Sequence, residues 1–350
     1  MLDFATLTAA QVLAIPEGYP EKLFSGPDLV EQEYRKAAKR LHPDAKPYGD
    51  HAVFQRLNIL HQDAKAKIGR GEWLTPGLVI LKGEDGTERR IRFRRDFDVS
   101  VGHAYLGQSL VTYVLSPDLA DMGENARKVI TGMEKLTYPS DKVRRDIEHR
   151  RPRLKTSFRT QDGKTVLVIE KPNHVVRLRD VLDHVGGKLD PRHVAWLMSE
   201  LHNLGCWLEH AKLTHNDISL DSVFISPAKH TAMILGGWWF SALEGARMQR
   251  VQAARTIGNA PRSVLDTKLA SIRTDLGQIR LLGRELLGDE GGANLIKDKT
   301  VHPVLANWLR LATTGKARDD YRQWQTALTG AFGDRRFTPL DLSFNDLYKE

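Results

Sequence analysis

"LTHNDISLDSVFIS", residues 213–226, sets one acidic residue, Asp217, two positions after His215 and shortly before the apolar run Val223–Ile225. A carboxylate beside an imidazole, on a polar loop leading into a strand-like segment, is a common setting for a general base. Ser222, a neutral oxygen, stands five positions further on. Upstream, "WLMSELHNLGCWLEHAKL" (196–213) continues a helix expected over 190–210. Downstream, "AMILGGWW" (232–239) closes an apolar strand with two glycines and two tryptophans. Either this loop is an active site or it is the remains of one, and its surroundings decide which.

The chain of 350 residues is long enough for about two domains, each with its own core. A hydrophobic share of 41% and a charged share of 27% are ordinary for globular protein. Lys and Arg outnumber Asp and Glu by 52 to 44, a net +8 that suits a mixed surface and does not demand nucleic acid. Cys206 is alone, so no intramolecular disulfide or cysteine metal cluster forms, as expected in a reducing compartment. The start "MLDFATLTAAQVLAIP" lacks a basic leader and ends its apolar stretch at Pro16. No run approaches the roughly 20 apolar residues of a membrane span. A soluble, cytoplasmic protein with no membrane partner is expected.

Towards the N-terminus, Pro27 suits the first turn of a helix, with Ser25 or Gly26 to cap it. Leu29, Tyr34, Ala37, Ala38 and Leu41 give that helix one apolar face, while Arg35, Lys36, Lys39 and Arg40 mostly project elsewhere. His42-Pro43-Asp44 stops it, because the residue before proline is pushed out of helical geometry. After a loop with Pro47 and Gly49, a second helix carries Val53, Phe54, Leu57, Leu60, Ala64 and Ile68 and ends at Gly69 and Gly71. "YRKAAKRLHPDAKP" followed by "AVFQRLNILHQDAK" resembles the J-domain of DnaJ-type co-chaperones over about residues 20–72, and "LFSG" (23–26) resembles the lead-in of its second helix. The resemblance implies docking on a DnaK-type chaperone ATPase and stimulation of its ATP hydrolysis. Residue by residue, the contact would comprise Tyr34, Arg35, Lys36, Lys39, Arg40, His42, Pro43 and Asp44. A plain helical hairpin with a solvated basic face is the alternative reading.

From Trp73 onward short strand-like pieces dominate: "LVILK", "RRIRFRRDF", "VSVGHAYLG" and "SLVTYVLS", with turns such as "EDGT". A helical piece, "PDLADMGENARKVITGMEKL", and a hairpin turning at Asp162-Gly163 follow, and then helices over 190–210, 266–287, 303–313 and 318–331. A small sheet-rich part before a larger helical part is the pattern of a two-lobed α+β domain. "THNDISLDSVFIS" resembles the protein-kinase catalytic loop, His-x-Asp followed by four residues and Asn. Its companions are ordered as in that family. "VLVIEKP" (166–172) resembles the strand into the hinge, and "RLRDVL" the short helix after it. "AMILGGWW" falls at the Asp-Phe-Gly motif, "GNAPRS" at Ala-Pro-Glu, and "RTDLGQIRLLGRELLGD" at the core helix whose Asp275 would brace the catalytic loop. The resemblance covers about residues 75–335.

The departures decide the chemistry expected. Phosphoryl transfer needs a base, metal ligands and a nucleotide-binding Lys. Asp217 would be the base, but Ser222 replaces the metal-binding Asn and Gly236 the metal carboxylate. Asp221 is the neighbour that could substitute, with its side chain expected to point elsewhere. "GHAYLG" (102–107) fits the phosphate-covering Gly-x-Gly-x-x-Gly with Gly102 and Gly107 but Ala104 in the middle. "SLVTYVLS" holds no Lys, leaving Lys128, with Glu124 or Glu134 as its partner. Arg262 replaces the acid after Ala260-Pro261. The reading favoured is therefore a pseudokinase in which His215, Asp217 and Asp275 serve the loop's structure, so that Asp217→Asn should cost stability rather than a rate. In that reading no cofactor is needed, whereas ATP and Mg²⁺ belong to the alternative of an active kinase.

The basic stretch 142–159 offers only Phe158 for stacking, which favours a solvated or protein-binding face over nucleic acid. His202 and His210 lie eight apart, a poor spacing for zinc, so no metal site is expected. Trp238 and Trp239 would cover an empty nucleotide pocket or fill the cleft between lobes. Together these features predict an α+β protein with a J-like domain (1–72), a linker (73–77) and kinase-like N- and C-lobes (78–172 and 173–350). Its expected role is that of an adaptor joining a DnaK-type chaperone to a client. An active kinase and a non-catalytic scaffold are the alternatives.

Overall fold

The computed structural model describes residues 4, 6–15, 17–45, 49–70, 73–75, 77–248, 254–334 and 338–348. Pro16, Pro47 and Gly71, each given a role above, lie outside the described residues. The chain is a mixed α+β protein: N-terminal helices, then a sheet region, then a larger helical region. It divides into two compact units, Met1–Asp96 with Phe158–Lys164, and Phe97–Ser157 with Thr165–Glu350. The border expected at 73–77 falls inside the first.

In the first unit, α1 (Ala9–Leu13) starts at a capping box between Thr8 and Gln11. α2 (Val30–Leu41) follows a short turn at Pro27–Leu29, and α3 spans His51–Arg70. α2 ends where His42, ahead of Pro43, takes an extended ψ of 140°. α2 and α3 run antiparallel. His42 at the end of the first meets Phe54 near the start of the second, while Glu31 at the other end pairs with His61 and Lys65. Leu7, Phe24, Ala37, Leu41, Leu57 and Leu60 fill the core between the helices. Two residues assigned to the apolar faces turn outward: Leu29 gives its place to Val30, and Ile68 lies past the last buried turn. β1 (Leu74–Thr75), β2 (Leu78–Lys82) and β3 (Glu88–Arg92) then form an antiparallel sheet in that order, with Gly86 at a left-handed φ of 76° in the turn between β2 and β3.

The second unit is built around a five-stranded sheet. Its elements are β4 (Arg95–Val99), β5 (Gly102–Leu106), β6 (Leu110–Leu115), α4 (Ala120–Gly132), α5 (Asp141–Ile147), β7 (Leu154–Arg159) and β8 (Thr165–Glu170). The strand order is β4-β5-β6-β8-β7. β6 is buried along nearly its whole length, which explains its continuous apolar run. β9 (Val176–Arg177) and α6 (Leu178–His184) lead into α7 (Pro191–His210), capped by Asp190 with Pro191 at its first position.

β10 (Leu213–Thr214), β11 (Val223–Ser226), β12 (Thr231–Ile234) and β13 (Ala242–Leu243) make two small sheets, β10 with β13 and β11 with β12 and β9. The remaining helices are α8 (Ala254–Asn259), α9 (Arg262–Thr267), α10 (Ile272–Leu286), α11 (Pro303–Arg310), α12 (Ala317–Phe332) and α13 (Phe344–Leu347). The single helix expected over 266–287 is thus interrupted: Lys268 is left-handed at φ 58°, and Ser271 caps a new start. α10 is the buried axis of this region. Its Arg280 reaches Asp320 of α12 at 2.7 Å and the carbonyls of Trp308 and Leu311, with both charged side chains almost wholly buried. Removing one partner of such a pair costs about 3–5 kcal/mol.

Candidate functional sites

The loop 214–222 hangs from α10. Asp275, on that helix's first turn and fully buried, accepts the backbone N–H groups of His215 (2.8 Å) and Asn216 (2.7 Å). Gln278, one turn on, accepts the N–H of Ile218 at 2.7 Å and donates to the carbonyl of Asn216 at 3.0 Å. Asn216 is held left-handed at φ 65° and ties back to Thr214 and the Phe240 carbonyl. With the backbone gripped on both sides, the loop cannot change shape without leaving buried groups unpaired.

His215 has no exposed surface, and burial pulls its pKa down to about 4. Its Nε2–H donates to the Gly236 carbonyl at 2.9 Å, and its Nδ1 accepts the Asp217 N–H at 3.2 Å, so the ring is neutral with one tautomer selected. The edge of Trp238 packs on it with ring centroids 4.5 Å apart. His215 therefore joins the loop to the 236–238 turn.

Asp217 differs from Asp275. Its carboxylate is half-buried and makes no hydrogen bond or ion pair within the described residues; the carbonyl of the same residue accepts the Ser222 hydroxyl at 2.7 Å. Desolvation lifts the carboxyl pKa to about 8, opposed by Arg255 and assisted by Asp221 and Asp275. Bracing of the loop, expected of both acids, belongs to Asp275.

A cavity of about 170 Å³ opens in front of Asp217, lined also by Asp98, Ser100, Tyr113, Ser222 and Gly236. The residues that would carry Mg²⁺ there do not fit it. Ser222 spends its hydroxyl on the Asp217 carbonyl. Asp221 lines the wall but is held by the guanidinium of Arg179 at 2.8 and 3.1 Å. A Cβ placed on Gly236 would lie 2.7 Å from the Tyr113 hydroxyl oxygen, so no carboxylate fits there without moving that ring. Gly237, left-handed at φ 79°, is closed in likewise by His215 and Asp217. Among the described residues no group of three or more His, Cys, Asp or Glu is arranged to hold a metal ion.

Several positions proposed from the sequence lie elsewhere. Gly102 and Ala104 are on strand β5, not in a covering loop, and Gly107 is in the turn after it; of this hairpin it is Asp98 and Val99, at the end of β4, and Ser100, in the turn that follows, that reach the cavity. Alternation explains Ala104: it pairs with Tyr113 across the sheet and is fully buried. Lys128 is solvent-exposed and, among the described residues, pairs with Glu124 of its own helix, at 3.6 Å. Trp238 and Trp239 are both buried; Trp238 packs on His215, while Trp239 lies against Tyr113 at 5.1 Å and lines the cavity.

Two side chains that local sequence reading passed over matter here. Tyr113 stands on β6 where the nucleotide lysine was sought, its side chain fully buried and its hydroxyl without a partner. Lys171, after β8, buries its ammonium group under the Phe344 ring and donates to the carbonyls of Gln108, Pro172 and Val175; desolvation lowers its pKa to about 7.

The second candidate site is the end of α2. His42, Pro43 and Asp44 are exposed, and the turn closes through Ala45 N–H to the His42 carbonyl at 2.8 Å. The His42 ring leans on Phe54, and its Nδ1 accepts the Asp44 N–H at 3.3 Å. Arg35, Lys36 and Lys39 are exposed too. Arg35, Lys39 and His42 follow at four- and three-residue steps, which aligns them along one side of the helix. Tyr34 and Arg40 have other duties. Tyr34 bonds Asn58 at 2.7 Å and stacks on His61, and Arg40 donates to the Leu7 carbonyl.

The chain matches no protein-family model and no curated protein. Among the described residues no helix is long and apolar enough to cross a membrane.

Proposed function

We propose that this protein is a J-domain type co-chaperone and adaptor. In this reading α2 and the His42-Pro43-Asp44 turn dock on a DnaK-type chaperone, while a catalytically impaired kinase-like domain holds a client or assembly partner. The observation that carries the reading is the end of α2: three cations, Arg35, Lys36 and Lys39, leading into an exposed His-Pro-Asp turn on a rigid hairpin. Such a basic face suits an acidic surface on the chaperone and would speed the encounter. Tyr34 and Arg40 support the hairpin from within and leave the contact to the other six residues.

The impairment is supported by the cavity. At about 170 Å³ it is smaller than the roughly 300–1,000 Å³ of ordinary ligand sites. Among the described residues no lysine lines its walls, and a carboxylate at Gly236 would have to displace Tyr113. One observation favours the alternative of an active kinase: the Asp217 carboxylate is unengaged and faces the cavity. ATP with Mg²⁺ separates the two. The adaptor should show an unchanged melting temperature, and saturable stabilisation would favour the kinase.

The docking half is tested by association. A DnaK-type chaperone in its ATP state should bind the full chain, and Arg35→Glu combined with Lys39→Glu should weaken binding at least tenfold. Equal affinity of the double variant would refute docking through this face.

A further inference from the structure

The cavity before Asp217 is small, yet it is not chemically quiet. Most of its charged lining is already matched: Asp221 by Arg179, Asp98 by His103 at 2.8 Å, and Arg255 by Glu285 and the Ile218 carbonyl. Besides the Trp239 indole N–H, two polar groups of the described lining are not. The Tyr113 side chain is 0% exposed and its hydroxyl has no hydrogen-bond partner. The Asp217 carboxylate, half-buried, has none within the described residues. Both groups line the same cavity and touch neighbouring glycines. A Cβ on Gly236 would meet the Tyr113 oxygen at 2.7 Å, and one on Gly237 would meet Asp217 Oδ2 at 3.0 Å.

A buried hydroxyl left unpaired costs about 1–3 kcal/mol, and an ionised carboxylate without a partner costs more, which is why Asp217 holds its proton up to about pH 8 unless a cation pairs with it. A ligand that donates to the carboxylate and offers an acceptor to the hydroxyl would recover that cost. Among the described residues the lining carries three carboxylates against one guanidinium, which disfavours an anion. A divalent metal would need several free oxygen ligands, and only Asp217 offers its carboxylate. A volume of about 170 Å³ equals roughly five or six waters at ~30 Å³ each, room for a molecule of a few heavy atoms.

We propose that this cavity binds a small primary ammonium compound carrying a neighbouring hydroxyl, with its cationic group on the Asp217 carboxylate and its oxygen on the Tyr113 hydroxyl. An ammonium has three donors and no acceptor, so it pairs with the carboxylate directly, and the ligand's oxygen accepts from Tyr113. The inference concerns the cavity alone and stands independently of chaperone docking.

The probe is ethanolamine hydrochloride, titrated into the full chain and followed by melting temperature and by saturation-transfer NMR. Propan-1-ol serves as the neutral analogue and sodium chloride as the ionic-strength control. Expected is saturable binding of ethanolamine with no comparable effect of either control, at least tenfold weaker in Asp217→Asn and several-fold weaker in Tyr113→Phe. Urea midpoints of both variants establish that they are folded, and Tyr113→Phe carries the test if Asp217→Asn is not. Absence of saturable binding, equal response to propan-1-ol, or undiminished binding in a folded variant would each overturn the proposal.

Discussion

The His42 turn and the Asp217 loop each place an aspartate two positions after a histidine, and in each the histidine Nδ1 accepts the aspartate's own N–H, at 3.3 and 3.2 Å. Their surroundings are opposite. Around His42 the side chains face solvent, and the hairpin is held by other residues: Tyr34, Asn58, Leu41 and Leu57. Around Asp217 nearly every neighbour is absorbed into the interior, with His215 and Asn216 fully buried and hung on Asp275. A site built to meet a macromolecule presents groups that the fold does not need. A buried loop keeps groups that the fold does need, and these persist without any reaction. The same short pattern therefore has different consequences in the two places.

The comparison breaks most visibly at Asp275. Asp275→Ala would leave two buried N–H groups unpaired, and urea denaturation should show a loss of about 3 kcal/mol or more. A loss below ~1 kcal/mol would mean the loop does not depend on that carboxylate. Gly236→Asp comes next, since the new side chain must displace Tyr113; a cost of about 2–3 kcal/mol is expected, partly relieved by adding Tyr113→Phe, with no phosphotransferase activity in either. Relief by the second change sharpens the account, and its absence would place the strain elsewhere.

Asp217→Asn should act in the opposite direction, and here the expectation from sequence reverses. A carboxyl near pKa 4 in the unfolded chain and raised to about 8 in the fold keeps its proton only when folded between those values. Stability is then full below pH 4, falls as pH rises and levels off above 8. The asparagine variant loses this decline, so it should match wild type at pH 4 and exceed it at pH 8–9, by on the order of 2 kcal/mol. Asp275, pushed up to about 7 by burial against its two N–H donors, shares the sign and keeps a residual slope in the variant. A variant less stable than wild type at pH 8 would show that the ionised carboxylate is stabilising after all. The smallest effect belongs to His42→Gln, an exposed change expected to alter stability by no more than ~0.5 kcal/mol.

Local rules gave much of this molecule. Proline after His42 marked the end of α2, and Asp162-Gly163 located the turn of the β7–β8 hairpin. Asp275 was singled out by the resemblance of "RTDLGQIRLLGRELLGD" to the kinase core helix, and no local rule showed that it would hold the loop. What stayed hidden depends on partners far along the chain. Tyr113 reads as one more aromatic in a buried strand, and only folding brings it against Gly236, more than 120 positions away. Lys171 looks like a surface lysine before a proline until Phe344 covers it. Arg280 reads as an exposed helix charge until Asp320 arrives from α12. The 102–107 glycine pattern misled for a related reason: its spacing fits a loop as well as it fits a strand, and pairing with β6 decides between them.

The most direct test of the account is single-turnover ATP hydrolysis by a DnaK-type chaperone, measured alone, with the full chain, and with its His42→Gln variant. The account predicts clear acceleration by the wild-type chain and none by the folded variant. Equal acceleration by both, or none by the wild type, would contradict it.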